Sequence, residues 1–468
     1  MRHIILPLSF ALTLAACDMA PKYVRPQLPV PEAGPSGPAY ATGGGGAAAI
    51  MPADTAWKDF FTDSRLVRVI DTALANNRDL RLAVANVERA RAQYRVQRAD
   101  LLPTLSASGN ATYQDTPFAQ QGGAPGRTDI YTASAGISAW EVDLFGRIRN
   151  LSRAAQEQYF AAQENRNAAQ TALIAETANA WLTMAADQER LRIARDLEGA
   201  FGKTLELTRA RFAKGIASEL EVRQAQTSHD QARADIAAAT TLVAQDQNAL
   251  NLLAGTSVPA ADLPSAMPDG DVTLSNLPAD LPSELLLRRP DIAAAEHQLR
   301  GANADIGAAR AAFFPKISLT AAFGTLSMGL SNLFSAGSDY WSVAPSASLP
   351  IFDFGRNQGN LRYARASYDA MVATYEKSVQ TGFREVADAL ARRGTMTAQL
   401  EAQTSLRDAA RVGYRLSEAR FRAGVDPFLT TLDAQRTLYS AEQGLLATRL
   451  ARVTNMVELY RAMGGGLK

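Results

Sequence analysis

The sequence predicts a mixed fold of membrane β-strands and very long α-helices. Three observations predict it. Four runs alternate between apolar and small polar residues. A stretch from Arg147 to Ala213 contains no proline. A series of landmarks occurs twice, in the same order.

The first alternating run places Leu105, Ala107, Gly109, Ala111 and Tyr113 on one face and Thr104, Ser106, Ser108, Asn110 and Thr112 on the other. Gln114 to Thr128, rich in Gly, Pro and Gln, reads as the loop. The return run sets Tyr131, Ala133, Ala135, Ile137 and Ala139 against Thr132, Ser134, Gly136 and Ser138. Strict period two means a strand with two different environments. The pattern recurs with Ile317, Leu319, Ala321 and Phe323, and again with Trp341, Val343, Ala347 and Leu349. Each run is about ten residues, the length of a tilted strand that crosses a bilayer. Tyr131, Trp140, Phe145, Phe313, Phe314, Tyr340, Trp341, Phe352 and Phe354 gather near the run ends, where a membrane boundary favours aromatics. A soluble sheet with one buried face would give the same alternation. Four strands cannot close a barrel, and lipid does not tolerate an open edge. Spanning strands therefore require several chains; two would give eight strands and three would give twelve. The pattern does not choose between them.

The helices follow from spacing and caps. Trp57 to Asn76 reads as one short amphipathic helix and Asp79 to Leu101 as a second, ending before Pro103. Arg147 to Ala213 reads as one helix of about 100 Å at about 1.5 Å per residue. Gly199 and Gly202 could loosen it. Ser218 with Glu221 three residues on is a capping box for the next helix. That helix runs to about Ala254, where Gly255 ends it. The Asp79 and Ser218 helices have lengths that let them stack end to end beside the long one. In the last helix Leu446, Leu450, Val453, Val457 and Tyr460 step like a coiled-coil seam.

The start reads as a secretory signal. Arg2 is followed by the apolar run Ile4 to Leu14, too short to span. Leu14 to Cys17 looks like a lipobox, and Cys17 is the only cysteine, so no disulfide framework explains it. Lys and Arg number 48 against 47 Asp and Glu, which gives no nucleic-acid signal. Of three histidines, His3 lies in the signal, and His229 and His297 read as isolated surface residues. No metal, thiol or dinucleotide motif of a known enzyme class occurs. The expectation is a protein that is not an enzyme.

Pro103 answers Pro315 at an offset of 212 residues; Gly146 answers Gly355, and Gly215 answers Gly424, at 209. Arg211-Phe212 is echoed by Arg420-Phe421, and Phe145-Gly146-Arg147 by Phe354-Gly355-Arg356. The register slips only inside the hairpin, where loops absorb insertions. This is a tandem duplication. Residues 1–16 are then the signal, and 17–56 a lipidated extended tether. Residues 57–255 form the first repeat, with hairpin 103–144 and helical hairpin 147–254. Residues 256–282 form a linker. Residues 283–468 form the second repeat, with hairpin 314–352 and helical hairpin 355–463.

The lipobox, the Phe-Gly-Arg after each hairpin, the two Arg-Phe turns and the run from Val425 to Arg436 together resemble the TolC/OprM-type outer-membrane efflux channels, in their NodT-like lipoprotein branch. The resemblance implies a homotrimer whose four strands per chain close a twelve-stranded barrel in the outer membrane. A periplasmic α-helical barrel continues it, and the short helices and linker form a belt. It implies no cofactor beyond the lipid on Cys17. It also implies two partners, a periplasmic adaptor and an inner-membrane, proton-driven pump. Adaptor docking would fall on Arg211, Phe212, Gly215, Ser218, Arg420, Phe421 and Gly424. Asp426 would contribute to an acidic ring at the closed periplasmic gate; its local sequence, Asp426-Pro427, is also that of a helix N-cap. The cargo implied is drugs or other small toxic solutes. The alternatives are a type I secretion duct for proteins and a periplasmic coiled-coil scaffold. A scaffold would explain the helices and anchor but not four alternating strands.

Overall fold

The computed structural model describes residues 18–40, 54–116, 126–268, 270, 272–274 and 283–467. The signal segment and Cys17 lie outside the described residues. Among the described residues there are eight α-helices and four strands. The helices are α1 (Trp57–Phe60), α2 (Ser64–Asn76), α3 (Arg78–Ala99), α4 (Arg147–Ala213), α5 (Glu219–Ala254), α6 (Pro290–Ala311), α7 (Arg356–Arg422) and α8 (Phe428–Ala462). The strands are β1 (Leu105–Thr116), β2 (Gly126–Glu141), β3 (Lys316–Ser327) and β4 (Asp339–Ser348). The chain forms two compact units, and both repeats contribute to each. One holds Asn86–Gln163 and Ala294–Glu376 with the N-terminal segment; the other holds Leu28–Ala85, Glu164–Ala293 and Lys377–Lys468.

In the first unit the strands form one antiparallel sheet in the order β1-β2-β3-β4. The register gathers the apolar rows read from the sequence on one face. Leu105 lies opposite Ile137, Ile137 opposite Ala321, and Ala321 opposite Val343. The hydroxyl rows share the other face, where Ser108 meets Ser134 at 3.2 Å and Ser318 meets Ser346 at 2.7 Å. Two details correct the expected strands. The first loop is shorter than Gln114 to Thr128, because Gln114 pairs with Thr128 and Thr116 with Gly126. Backbone pairing needs no apolar side chain, so composition misplaced the boundary. A bulge then interrupts β2 between Ile137 and Trp140. Ala139 takes a φ of 49°, and its amide donates to Thr320 Oγ1 at 3.1 Å. Two residues of β2 oppose one of β3, so Trp140, not Ala139, faces Leu319 in the apolar row.

Gly136 and Gly324 lie on the hydroxyl face of the central strand pair. A Cβ at either would come within 2.2 Å of a backbone oxygen of the facing strand. Only glycine permits that approach.

The second unit is helical. The long helix α4 is continuous through Gly199 and Gly202. Ser218 and Glu221 form the reciprocal capping box, and Gly255 closes α5 in the left-handed region. The single helix expected from Trp57 to Asn76 is instead two. The Asp63 carboxylate accepts from the Arg65 and Leu66 amides and starts α2 anew. Phe61, freed between them, pairs with Thr273 of the linker. The expected end-to-end junction is present: Asn77 donates to the Leu253 carbonyl at the end of α5 and accepts from the Leu80 amide at the start of α3. The seam in α8 departs from the predicted stripe: Leu450 and Val453 are only half-buried, whereas Leu445, Asn455 and Leu459 are buried along with Leu446, Val457 and Tyr460. Tyr460 stacks on Phe60 at 4.0 Å and donates to the Thr55 carbonyl, so α1 covers a second side of the helix.

Candidate functional site

Leu105, Phe323, Trp341 and Val343 are all exposed on the apolar face of the sheet. Leaving such side chains in water forgoes about 1.5–3 kcal/mol each. A contiguous exposed apolar face marks contact with lipid or protein. The opposite face carries serine and threonine hydroxyls. Among the described residues no helix is long and apolar enough to cross a membrane.

The two helical turns carry the residues singled out by sequence. In each, Gly sits in the left-handed region, Gly215 at φ +70° and Gly424 at +77°. The Ile216 amide donates to the Arg211 carbonyl and the Gly215 amide to that of Phe212, at 2.9 and 2.8 Å. Val425 and Gly424 repeat the pattern on Arg420 and Phe421, both at 2.9 Å. Both turns are therefore Schellman caps with an apolar residue after the glycine.

The side chains diverge. Arg420 grips Asp426 with Nε at 2.6 Å and Nη2 at 2.8 Å. That hydrogen-bonded pairing holds the Asp426 carboxyl below its ordinary value. Asp426 is not an N-cap: Pro427 occupies that place with no side-chain cap, and α8 begins at Phe428. The bidentate arginine six residues back outcompetes the local capping geometry. In the first repeat Ala217 stands at the matching position. Arg211 instead lies over the Phe421 ring at 4.8 Å. Phe421 is buried with Phe428, Leu432, Phe201 and Leu205, whereas Phe212 is exposed. The Phe421 ring is therefore a packing element beneath the turn. Phe212, Ile216, Leu220, Val425 and Leu429 form the exposed apolar set around it. Sequence reading missed the last four, although an apolar residue after each glycine was visible.

The N-terminal segment is held in the first unit. Asp18 accepts from Asn150 Nδ2 at 2.8 Å, Arg153 Nη1 at 2.9 Å and the Ala20 amide at 3.0 Å. The Arg310 guanidinium and Asn303 amide donate to the carbonyls of Met19 and Pro21. Glu296 accepts from Arg25 and Arg300; burial raises its carboxyl, but these bonds outweigh burial and hold it below the ordinary value. His229 and His297 are half-buried rather than on the surface, each paired with one glutamate, Glu198 and Glu157. Packing between helices brings these pairs together, which single-helix polarity could not reveal. No group of three or more metal-ligating side chains occurs among the described residues.

Comparison with known proteins agrees with this geometry. The family model for outer membrane efflux protein matches the chain twice, over residues 69–256 and 281–465. The chain is 47% identical over 463 residues to the solvent efflux pump outer membrane protein SrpC of Pseudomonas putida, covering 98% of each chain. It is 46% identical over 463 residues to the antibiotic efflux pump outer membrane protein ArpC of Pseudomonas putida, covering 98% of this chain and 95% of the relative. The open state of the Neisseria gonorrhoeae MtrE outer membrane channel superposes with a TM-score of 0.86 at 39% identity, covering 97% and 99% of the two chains. The four-stranded sheet is thus one part of a trimeric, twelve-stranded barrel. The chain belongs to the outer membrane efflux protein family.

Proposed function

We propose that this chain is the outer-membrane duct of a tripartite pump that ejects small organic solutes, anchored by a lipid on Cys17 and gated at Asp426. It is an outer-membrane efflux channel that works with a periplasmic adaptor and an inner-membrane pump. The observation that carries the duct reading is the sheet itself. It has an exposed apolar face, a hydroxyl face and, among the described residues, two unpaired edges, β1 and β4. Such a sheet is stable only when copies close it in lipid. The hydroxyl face then lines a wet lumen, and conduction is passive.

The relatives named for solvent and antibiotic efflux support small, largely apolar cargo. The lipobox ending at Cys17 supports the anchor. The ion pair of Arg420 and Asp426 at an exposed turn supports a gate whose carboxylates are each tied to an arginine. The exposed side chains around Gly215 and Gly424 support adaptor docking.

Conductance of the reconstituted protein tests the gate. Asp426→Ala is expected to raise single-channel conductance or leak, and wild-type behaviour would leave Asp426 as a turn element only. Cys17→Ser is expected to abolish labelling by radioactive palmitate while the protein stays in the membrane after an alkaline wash. Release of that variant would mean that lipid alone held it.

A further inference from the structure

The chain contains one complete junction between neighbouring hairpins and the two separated halves of another. In the complete one, Phe145 follows β2 and stacks on Phe314, which precedes β3, at 4.7 Å between ring centres. The Val142 amide donates to the Ile317 carbonyl at 2.8 Å. The duplication supplies the counterparts. Phe354 answers Phe145 and Ile351 answers Val142; Leu102 answers Phe314 and Leu105 answers Ile317. These counterparts flank opposite edges of one sheet, so they cannot meet within a chain.

We propose that Phe354 of one copy seats on Leu102 of a neighbouring copy, with the Ile351 amide donating to the Leu105 carbonyl of that copy. Strand β4 then continues into the next β1 in the register the chain already uses between β2 and β3. The proposal rests on the trimeric channel and adds the contact that closes it.

Exposure supports the seat. Phe354 is 90% exposed, Ile351 94% and Leu102 71%, whereas Phe145 is half-buried by its stacking partner. Phe354 also has a φ of 55°, which a phenylalanine adopts only at a cost. The Asp353 carboxylate holds that turn by accepting from the Gly355 and Asn357 amides at 3.0 and 2.9 Å. Phe352 meets Phe354 at 4.6 Å, so the two rings form a single exposed wedge. A second copy is the occupant that fits, because the matching Phe-Gly-Arg after β2 already seats its ring beside β3.

The two junctions differ in backbone, since Phe354 and not Phe145 takes a positive φ, and in charge. Glu141 is gripped by Arg147 at 2.8 and 2.7 Å and by Lys316 at 3.2 Å. Pro350 and Thr104 stand where Glu141 and Lys316 would be needed between copies. The junction within the chain is a charged clasp, and the junction between chains is apolar.

The test is oxidative cross-linking of the full-length Leu102→Cys/Phe354→Cys variant in membranes, with assembly followed separately by native mass. Covalent dimers and trimers are expected on a non-reducing denaturing gel, and none from either single variant. Phe145→Cys/Phe314→Cys is expected to link only within the chain. A native trimer without cross-links overturns the seat and leaves the channel standing. A monomer from the unaltered protein overturns both. Should the double variant not assemble, the Phe354→Cys single variant serves. Its thiol is expected to lose reactivity toward a water-soluble maleimide in the trimer, and equal reactivity in trimer and dissociated chain overturns the seat.

Discussion

At Gly215 the arginine of the turn has no carboxylate to meet, because Ala217 stands where Asp426 stands at Gly424. Arg211 therefore turns onto the Phe421 ring, while Arg420 closes on Asp426. The backbones of the two turns are the same Schellman cap. That substitution redirects a guanidinium, and Phe421 is buried where Phe428 and Leu432 stand in place of Glu219 and Arg223. The helix-end junctions differ in the same way. Asn77 and Arg289 occupy matching places in the repeat. The neutral amide joins α5 to α3 with two hydrogen bonds. Arg289 is 4% exposed and donates to the Ala462 carbonyl at 3.0 Å, to Asp291 and to Glu385. Duplication kept the backbone geometry and changed which ends carry charge.

The largest expected effect separates those junctions. Arg289→Ala takes a buried guanidinium from Asp291 and the Ala462 carbonyl, while Glu385 keeps Arg461 at 3.4 Å, and is expected to cost about 3 kcal/mol. Asn77→Ala leaves one buried amide and one carbonyl unpaired and should cost about 1–3 kcal/mol. Denaturant midpoints in detergent measure both, and equal losses would erase the distinction. Next comes the shared backbone. A Cβ at Gly215 or Gly424 would meet nothing within 4 Å, so only the left-handed φ opposes a side chain. Alanine at either position is expected to cost about 1–2 kcal/mol, equally at both. An asymmetric loss in thermal unfolding would show that the turns are not equivalent. Ser218→Ala removes the cap that Pro427 lacks and should cost about 1 kcal/mol. The same denaturation measurement checks it, and no loss would mean that Glu221 caps the helix alone.

The smallest effect on stability and the sharpest on function concern the exposed ion pair. The folded chain lowers the Asp426 carboxyl below 3.8, so its contribution is present above that value. It is lost as pH falls through the lowered value. Conductance is expected to rise only as pH falls below the ordinary carboxylate range, and Asp426→Asn should show the raised conductance already at neutral pH and lose that response. A wild-type pH profile in the variant would place the gate elsewhere.

Much of this was legible. The strands were visible because a sheet with lipid on one face and water on the other forces period two. The ends of α5 were visible because Ser218, Glu221 and Gly255 act through bonds within a few residues. The bulge before Trp140 was not, since neither Ser138 nor Ala139 signals a bulge on its own. It arises just past the end of the β1 ladder at Ile137, where β2 pairs with β3 alone. The break before Ser64 was also missed, because Asp63 reads as one more polar residue on a helix.

By itself the sequence determined the strands, the long helices, their caps and the duplication, all of which rest on local spacing. Only the tertiary structure decided that Arg420 takes Asp426 from the cap, that Phe421 is buried while Phe212 is not, and that Arg289 replaces Asn77 as a buried link. The last two are competitions between partners distant in sequence, and the first is settled across a folded turn; proximity in space, which no local pattern encodes, decides each.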